Sequence, residues 1–469
     1  MEEEKDKIEI SVIKGDKLFN QNTPFIINLS SPDPDINDKK SNADLICVID
    51  TSSSMKGQKL YQVKESLKIL IDLMDEKDRL ALILFNRKAS IYFNLEYITK
   101  EKKNLLKTEI DEIYTNRGTN ILSGLEKAIE ILKKEKNEVN INRVFSVLLL
   151  SDGCDTYNNE IQLANSLKEM TKGFDLSFTL HTFGYGYYYD EKIMNKLANL
   201  RDGSFYFVEN YSKVSEYFAC VLGGCMSVIS EKAEIKVNLL NKNCKIIKIF
   251  GGENLYEYEL KDELFITKIL QFMCGKEYTF VLEINIDEKN IKVGDELLDI
   301  KFIYEDISQN NNNNIEKEIK YKYELQSIDY LRANEEYIRS QVYSVLDEVL
   351  KLKEKNENNK ARKMLNEMKV WIKDKYKGNN KNYLIDIEKT YEIFKGDTEL
   401  LNKSIKFVNS QIMQNQSKKQ GSNLNYCNSI QNNLMNSIQN INTFKSAEPP
   451  LKKRIDLSKS INFGKFKNI

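Results

Sequence analysis

The stretch that decides the fold is DLICVIDTSSSMKGQKL, residues 44–60, in which an apolar run passes directly into one aspartate and four hydroxyl side chains. The run LICVI predicts a strand that is buried on both faces, and Asp50 follows it at once. An amphipathic helix is predicted next, over KLYQVKESLKILIDLM (59–74). Open α/β sheets bind their ligands at the carboxyl ends of strands, so the polar cluster lies where a ligand is expected.

The alternation of apolar strand and amphipathic helix continues from Asp44 to Cys225. Further strands are predicted at RLALILF (79–85), VFSVLLL (144–150), LSFTLHTFGYG (176–186) and FYFV (205–208). The first two runs are too uniformly apolar for a sheet with one solvated face, so helices are expected on both faces. The sequence therefore predicts an α/β domain with a doubly wound, mostly parallel sheet over residues 42–228.

The segments on either side of this domain alternate apolar and polar residues, which indicates antiparallel strands with one buried face. They are KIEISVI (7–13) and PFIINLS (24–30) before it, and AEIKVNLL (233–240), YTFVLEINI (278–286) and LLDIKFIYED (297–306) after it. Because strands occur on both sides, we expect the α/β domain to be inserted in a β-sandwich. Residues 1–41 would supply the N-terminal strands of the sandwich, and residues 229–326 the remaining ones.

The C-terminal part of the chain changes character twice. Residues 327–409 show helical periodicity, including ARKMLNEMKVWI (361–372) and LLNKSIKFV (400–408), and predict a small helical module. Residues 410–469 are rich in Asn, Gln and Lys, a composition that predicts a disordered tail. The basic stretch PPLKKR (449–454) in this tail is compatible with nuclear import or with contact to an acidic surface, although a solvated tail is the simpler explanation.

Composition limits the classes of function. Lys plus Arg (70) equals Asp plus Glu (70), so the folded domains give no reason to expect a nucleic-acid partner. The seven cysteines are scattered, which favours a reducing compartment over a disulfide framework. We find neither a signal peptide nor an apolar run of about 18 residues that could span a membrane. An intracellular, cytoplasmic protein is therefore expected.

The polar cluster has the composition of a site for a hard divalent cation. Asp50, Ser52 and Ser54 offer one carboxylate and two neutral oxygens, and such cations prefer oxygen ligands. Two more oxygen donors follow later elements, Thr119 after Gly118 and Asp152 after VLLLS. The candidate metal is Mg²⁺, or another divalent cation such as Mn²⁺. Taken alone, the DTSSS stretch could instead cap a helix.

Three separated motifs, DTSSSM (50–55), GTN (118–120) and SDG (151–153), together with LHTFGYG (180–186), resemble the von Willebrand factor A (vWA) domain and its metal-ion-dependent adhesion site. The resemblance covers residues 44 to about 225 and implies a Rossmann-like fold. It implies that Ser52, Ser54 and Thr119 bind Mg²⁺ directly, and that Asp50 and Asp152 act mostly through water. One coordination position would stay open for an Asp or Glu carboxylate of a protein partner.

The sequence around the proposed site favours binding over catalysis. It contains neither a phosphate-binding GxxxxGK[ST] loop nor an HExxH motif, and no His lies near the cluster. We therefore predict that the protein is not an enzyme but an Mg²⁺-dependent interaction module, a scaffold or adaptor. The alternative is a component or regulator of a ubiquitin or other assembly pathway that lacks its own catalytic module. We also expect the metal ligands to lie at a surface edge, outside the core.

Overall fold

The structure is a computed structural model that describes residues 8–18, 21–33, 41–135, 143–173, 176–186, 190–208, 211–251, 257–307, 314–375, 381–394, 405, 429–432 and 434–435. The strands are β1 Glu9–Lys14, β2 Thr23–Ser30, β3 Asn42–Asp50, β4 Arg79–Phe85, β5 Ala89–Tyr97, β6 Arg143–Ser151, β7 Phe178–Tyr185, β8 Phe205–Val208, β9 Val228–Leu239, β10 Cys244–Ile249, β11 Glu257–Lys261, β12 Leu264–Met273, β13 Glu277–Ile286, β14 Glu296–Glu305 and β15 Asn314–Lys322. The helices are α1 Gln58–Leu73, α2 Lys100–Asp111, α3 Ile121–Glu135, α4 Glu160–Thr171, α5 Glu191–Leu200, α6 Tyr211–Met226, α7 Tyr330–Glu354, α8 Asn358–Lys375 and α9 Lys381–Glu392.

The predicted α/β fold class is confirmed. The central sheet has the strand order β5-β4-β3-β6-β7-β8, and every neighbouring pair is parallel except β4 with β5. The order runs outward from β3 in one direction and from β6 in the other. Loops that leave these two strands therefore diverge, and the divergence opens a crevice at their carboxyl ends.

Helices cover both faces of the central sheet, as the apolar strands require. One face packs against α1, α2 and α6, which contribute Leu67, Leu106 and Phe218 to the core. The other face packs against α3 and α4, which contribute Leu125 and Leu163, and against α5. The apolar spacing of α1 thus buries one side of the helix, and its first turn places Lys59 beside Asp152.

The strands before and after the α/β domain belong to one sandwich. Its two sheets have the orders β1-β2-β13-β10 and β11-β12-β9-β14-β15, and β2 pairs with β13 across the whole inserted domain. Both ends of the insertion meet the turn after β12: the Cys274 amide donates to the Ser227 carbonyl at 2.8 Å, and the Gly275 amide donates to the Pro32 carbonyl at 3.0 Å. We propose residues 42–228 as the bounds of the inserted domain.

The C-terminal helices α7, α8 and α9 form a cluster with its own buried residues, among them Leu346, Leu365 and Ile387. Helix α7 also contacts the sandwich, where Gln341 Nε2 donates to Glu283 Oε1 of β13 at 2.7 Å. The helix predicted at residues 400–408 lies outside the described residues except for Ile405. No helix in the part of the chain that the structure describes combines the length and the apolar composition needed to cross a membrane.

The tail differs from the sequence prediction in one segment. Residues 429–432 and 434–435 are helical, and Ile430, Gln431 and Met435 are buried. A disordered tail is therefore the wrong prediction for this segment, because three side chains find a buried position there despite the polar composition. For the rest of residues 410–469, which lie outside the described residues, disorder stays a prediction.

The pairing of β2 with β13 leads to a prediction about fragments. Residues 229–326 expressed without β1 and β2 would leave the edge of β13 unpaired, and we expect this fragment to aggregate. Fusion of residues 8–31 to residue 229 through a flexible linker restores the pairing, and the fused fragment should be soluble. Light scattering of the two fragments tests this, and a soluble, cooperatively unfolding fragment 229–326 would contradict it.

Candidate metal-binding site

The candidate site lies at the carboxyl ends of β3 and β6, the two central strands from which the order diverges. Asp50 is the last residue of β3, and Ser151 is the last residue of β6. The two strands are direct parallel neighbours. Asp50 and Asp152 are thereby brought to the same edge of the sheet, as the sequence motifs predicted.

Asp50 is fully buried and makes hydrogen bonds with both carboxylate oxygens. Its Oδ1 accepts from the Ser52 amide at 2.8 Å, and its Oδ2 accepts from Ser151 Oγ at 2.6 Å. Burial raises the pKa of Asp50 to about 6, because a charged carboxylate loses its hydration there. The hydrogen bonds from Ser151 and Ser52 act in the opposite direction, and the negative charge of Asp152 raises the pKa further.

The serines of the DTSSS motif follow β3 in a tight turn. Ser52 Oγ and Ser54 Oγ are 2.8 Å apart, and residues 53–55 form a single 3₁₀ turn that the buried Met55 anchors. None of these hydroxyls caps a helix: the Ser52 side chain makes no capping hydrogen bond, and α1 begins after Gly57. The capping interpretation of the motif therefore finds no support, and the paired hydroxyls need another role.

The loop with Thr119 is attached to this turn through its backbone. The Asn116 amide donates to the Thr51 carbonyl at 2.6 Å, and Ser53 Oγ donates to the Asn116 carbonyl at 3.1 Å. Thr119 itself is buried. Gly118 has a φ of +86°, and a Cβ there would lie 3.2 Å from Cβ of Arg87. The loop therefore needs glycine at this position in order to pass close to the loop after β4.

Asp152 is buried and has two different oxygen environments. Its Oδ2 accepts from Lys59 Nζ at 2.8 Å, whereas no residue in the described part of the chain donates a hydrogen bond to its Oδ1. The next residue, Gly153, has a φ of +74°, and a Cβ there would lie 3.0 Å from the Asp190 backbone. A buried carboxylate oxygen without a donor is unfavourable, so this atom needs a ligand or an ion.

Two expectations from the sequence need correction. The candidate ligands were expected at a surface edge outside the core, but Asp50, Ser52, Thr119 and Asp152 are all buried and only Ser54 is exposed. The reason is that loops from several strands close over the edge. Lys59 and Ser151 also belong to the site, although neither was expected there from the sequence motifs. The position of Ser151 between a buried strand and Asp152 is a signal that could have identified it, whereas Lys59 carries no such signal.

The oxygen atoms at this edge fit a hard divalent cation. In the described ranges, no three His, Cys, Asp or Glu side chains form a cluster that could hold a metal, so a soft transition-metal site finds no support. Asp152 Oδ1, which has no donor among the described residues, and the Ser52 and Ser54 hydroxyls at the same sheet edge are instead oxygen ligands of the kind that Mg²⁺ takes. Such a cation would supply positive charge between the two aspartates.

Comparisons with known proteins agree with the fold and the motifs. Residues 44–219 match the family described as von Willebrand factor type A domain. This part of the chain is a vWA domain. The chain is also similar to the solved structure of a von Willebrand factor type A protein from Catenulispora acidiphila, with a TM-score of 0.63, 12% identity, and coverage of 90% of this chain and 99% of that one. At that identity the similarity shows the shared fold alone.

Curated relatives align with the vWA domain. An uncharacterized protein of Synechocystis is 30% identical over 39% of this chain and 42% of its own length. The inter-alpha-trypsin inhibitor heavy chain H2 of Sus scrofa is 32% identical over 33% of this chain and 17% of its own length. The chain thus spans less than half the length of these relatives. A vWA domain implies an interaction or adhesion module. These relatives align with that domain alone, so the comparison says nothing about the rest of the chain.

The hydrogen bond between Ser151 and Asp50 predicts a local effect on stability. Ser151→Ala removes the donor to Asp50 Oδ2 and the acceptor of the Gly153 amide, so the ends of β3 and β6 should lose about 1.5–3 kcal/mol. Hydrogen exchange of the β3 and β6 amides in the presence of chelator measures this loss. The control is Ser53→Ala, which removes an exposed hydroxyl and should change the same amides by less than about 0.5 kcal/mol. Equal effects of both variants would contradict the prediction.

Proposed function

We propose that the vWA domain binds a protein partner through a Mg²⁺ ion, or another divalent cation such as Mn²⁺, at the edge of β3 and β6. The observation that carries this proposal is the buried Oδ1 of Asp152, which has no donor among the described residues and lies at the same edge as the Ser52 and Ser54 hydroxyl pair. Ser52, Ser54 and Thr119 would hold the ion directly. Asp50 and Asp152 would do so mostly through water.

Charge around the site supports an acidic partner. Lys56, Arg87 and Arg117 are exposed, and each lies on a different loop at this edge. Neutral hydroxyl ligands leave a bound cation with much of its positive charge, so an open coordination position attracts a carboxylate. We therefore propose that the partner presents an exposed Asp or Glu to the metal. Further acidic groups of the partner would face the side chains of Lys56, Arg87 and Arg117.

A binding role also agrees with the chemistry of the groups at the site. The two buried aspartates at the site already have hydrogen-bond or ion-pair partners that hold them in place. A scaffold or adaptor inside the cell is the role we propose for the chain. Among the described residues, Cys47, Cys225 and Cys244 are buried free thiols, which supports a reducing compartment.

Metal and partner should strengthen each other's binding. If the partner's carboxylate completes the metal shell, linkage requires that each raises the affinity of the other by the same factor. Calorimetry with the purified partner should therefore show tighter binding with Mg²⁺ than with chelator, and loss of this difference in the Ser52→Ala, Ser54→Ala double variant. Thr108→Ala, which removes an exposed hydroxyl that donates to the Asn104 carbonyl within α2, is the control and should retain it. Equal affinity in chelator and in the double variant would show that the partner binds elsewhere.

Lys59 should compete with the cation. Its Nζ lies 2.8 Å from Asp152 Oδ2, where its positive charge repels a bound dication and occupies one of the carboxylate oxygens. Lys59→Met should therefore raise the affinity for Mg²⁺ about fivefold to tenfold, which corresponds to ~1–1.4 kcal/mol. Titration calorimetry with Mg²⁺ alone measures the change.

The control for this prediction lies on the same helix. Lys64 donates to the Asp111 carbonyl and not to the site, so Lys64→Met should leave the affinity for Mg²⁺ unchanged. Weaker Mg²⁺ binding in Lys59→Met than in the unmodified chain would show that the lysine supports the metal instead of competing with it.

A further inference from the structure

Two adjacent glycines lie inside α6, far along the chain from the candidate metal site. Glycine is unfavourable in a helix interior, so the pair Gly223 and Gly224 needs a compensating contact. The contact is with the tail. A Cβ on Gly223 would lie 2.8 Å from Cγ and 2.9 Å from Cα of Gln431, and a Cβ on Gly224 would lie 3.3 Å from Gln431 Nε2. The glycines therefore form a shallow groove that admits the tail backbone.

Polar contacts fix the position of the tail segment, residues 429–435, on this groove. Gln431 is fully buried, and its Nε2 donates to the Cys220 carbonyl at 2.7 Å. The Ser429 amide donates to Asp33 Oδ1 at 3.0 Å, on the loop that follows β2 of the sandwich. A buried amide with a specific acceptor fixes one register, because a shift by one residue would bury it without a partner.

Apolar contacts lie on either side of Gln431. Ile430 joins the core of the vWA domain beside residues of α6, and Met435 packs with Ile69 of α1 and with Cys220. Leu434 is partly buried against both groups. The tail segment thus contacts α1 and α6, two of the helices on one face of the domain, and also the sandwich loop. It presents the pattern S-I-Q-x-x-L-M.

The tail contains this pattern a second time, in part. NSIQN occurs at residues 428–432 and again at residues 436–440. The residues that correspond to Leu434 and Met435 are Asn442 and Thr443, which are polar. The second copy therefore carries the residues that fit the glycine groove but lacks the apolar pair that packs against α1.

We propose that the groove at Gly223 and Gly224 is a recognition site for a helical S-I-Q-x-x-L-M segment, and that residues 429–435 of this chain are its occupant. The segment fastens the C-terminal tail to the vWA domain and to the sandwich loop at Asp33. The second copy binds the same groove more weakly, because burial of its polar residues beside α1 is unfavourable.

Hydrogen exchange on the full chain tests the occupancy. The amides of residues 430–435 should exchange about tenfold or more slowly than those of residues 438–443. Gly223→Ala should remove this difference in exchange rate, because the added methyl group clashes with Gln431. Gln431→Ala should remove it as well, and this change leaves α6 intact. The matched control, Gln439→Ala in the second copy, should preserve it. Equal exchange of the two copies in the unmodified chain would overturn the proposal.

A peptide experiment tests recognition. The Ile430→Ser change weakens the resident segment, so a labelled peptide of residues 427–437 should bind the full chain that carries it. The affinity of the peptide for the unmodified chain should be at least about tenfold lower, because the resident segment competes for the groove. A peptide of residues 435–445 should bind the Ile430→Ser chain more weakly than the first peptide. Addition of Gly223→Ala to the Ile430→Ser chain should abolish binding. Undiminished binding to that double variant, or no binding to Ile430→Ser, would overturn the site.

Discussion

The rest of the site depends on a buried carboxylate at the end of the central strand. Asp50 is fully buried, and a buried charge is unfavourable unless hydrogen bonds or opposite charges compensate it. The turn after β3 supplies the Ser52 amide, and the neighbouring strand β6 supplies the Ser151 hydroxyl. Both are neutral donors, and the second carboxylate, Asp152, adds negative charge nearby. Lys59 therefore compensates only part of the negative charge of the two aspartates, and a bound cation would compensate the rest.

The opposite end of β3 shows how the same problem is solved without a ligand. Asp44 is also fully buried, but Arg79 and Arg143 both contact it: Arg79 Nη2 lies 2.6 Å from Oδ2, and Arg143 Nε lies 3.0 Å from Oδ1. Two guanidinium groups provide the charge and the donors that a carboxylate needs. The amino end of the strand is thus an internally satisfied ion cluster. The carboxyl end has a deficit of positive charge, and this asymmetry distinguishes a structural cluster from a ligand site.

The sequence predicted the parts of the fold whose signal is local. Buried runs such as RLALILF coincide with β4, and the motifs placed Asp50 and Asp152 at one edge. It missed β5, β10, β11, β12 and β15. In the edge strands β5 and β15 exposed residues alternate with half-buried ones, and many of them are polar, so the local apolar signal is weak. The tail segment escaped for a different reason. The average composition of the Asn-rich tail is polar, so it gives no signal for the three buried side chains Ile430, Gln431 and Met435. Their binding position depends on the glycine pair in α6, which is distant in sequence.

The insertion also determines which side of the domain a partner can approach. The joint with the sandwich lies at the amino end of β3, where Ser41 Oγ donates to the Cys225 carbonyl near the end of α6. Asp50 lies at the other end of the same strand, which has nine residues and therefore spans ~30 Å. The tail segment fastens the joint from Asp33 to α6, on the same side as the sandwich. The candidate metal edge thus lies at the opposite end of β3 from the joint at Ser41, so a partner can reach the metal without opening that joint.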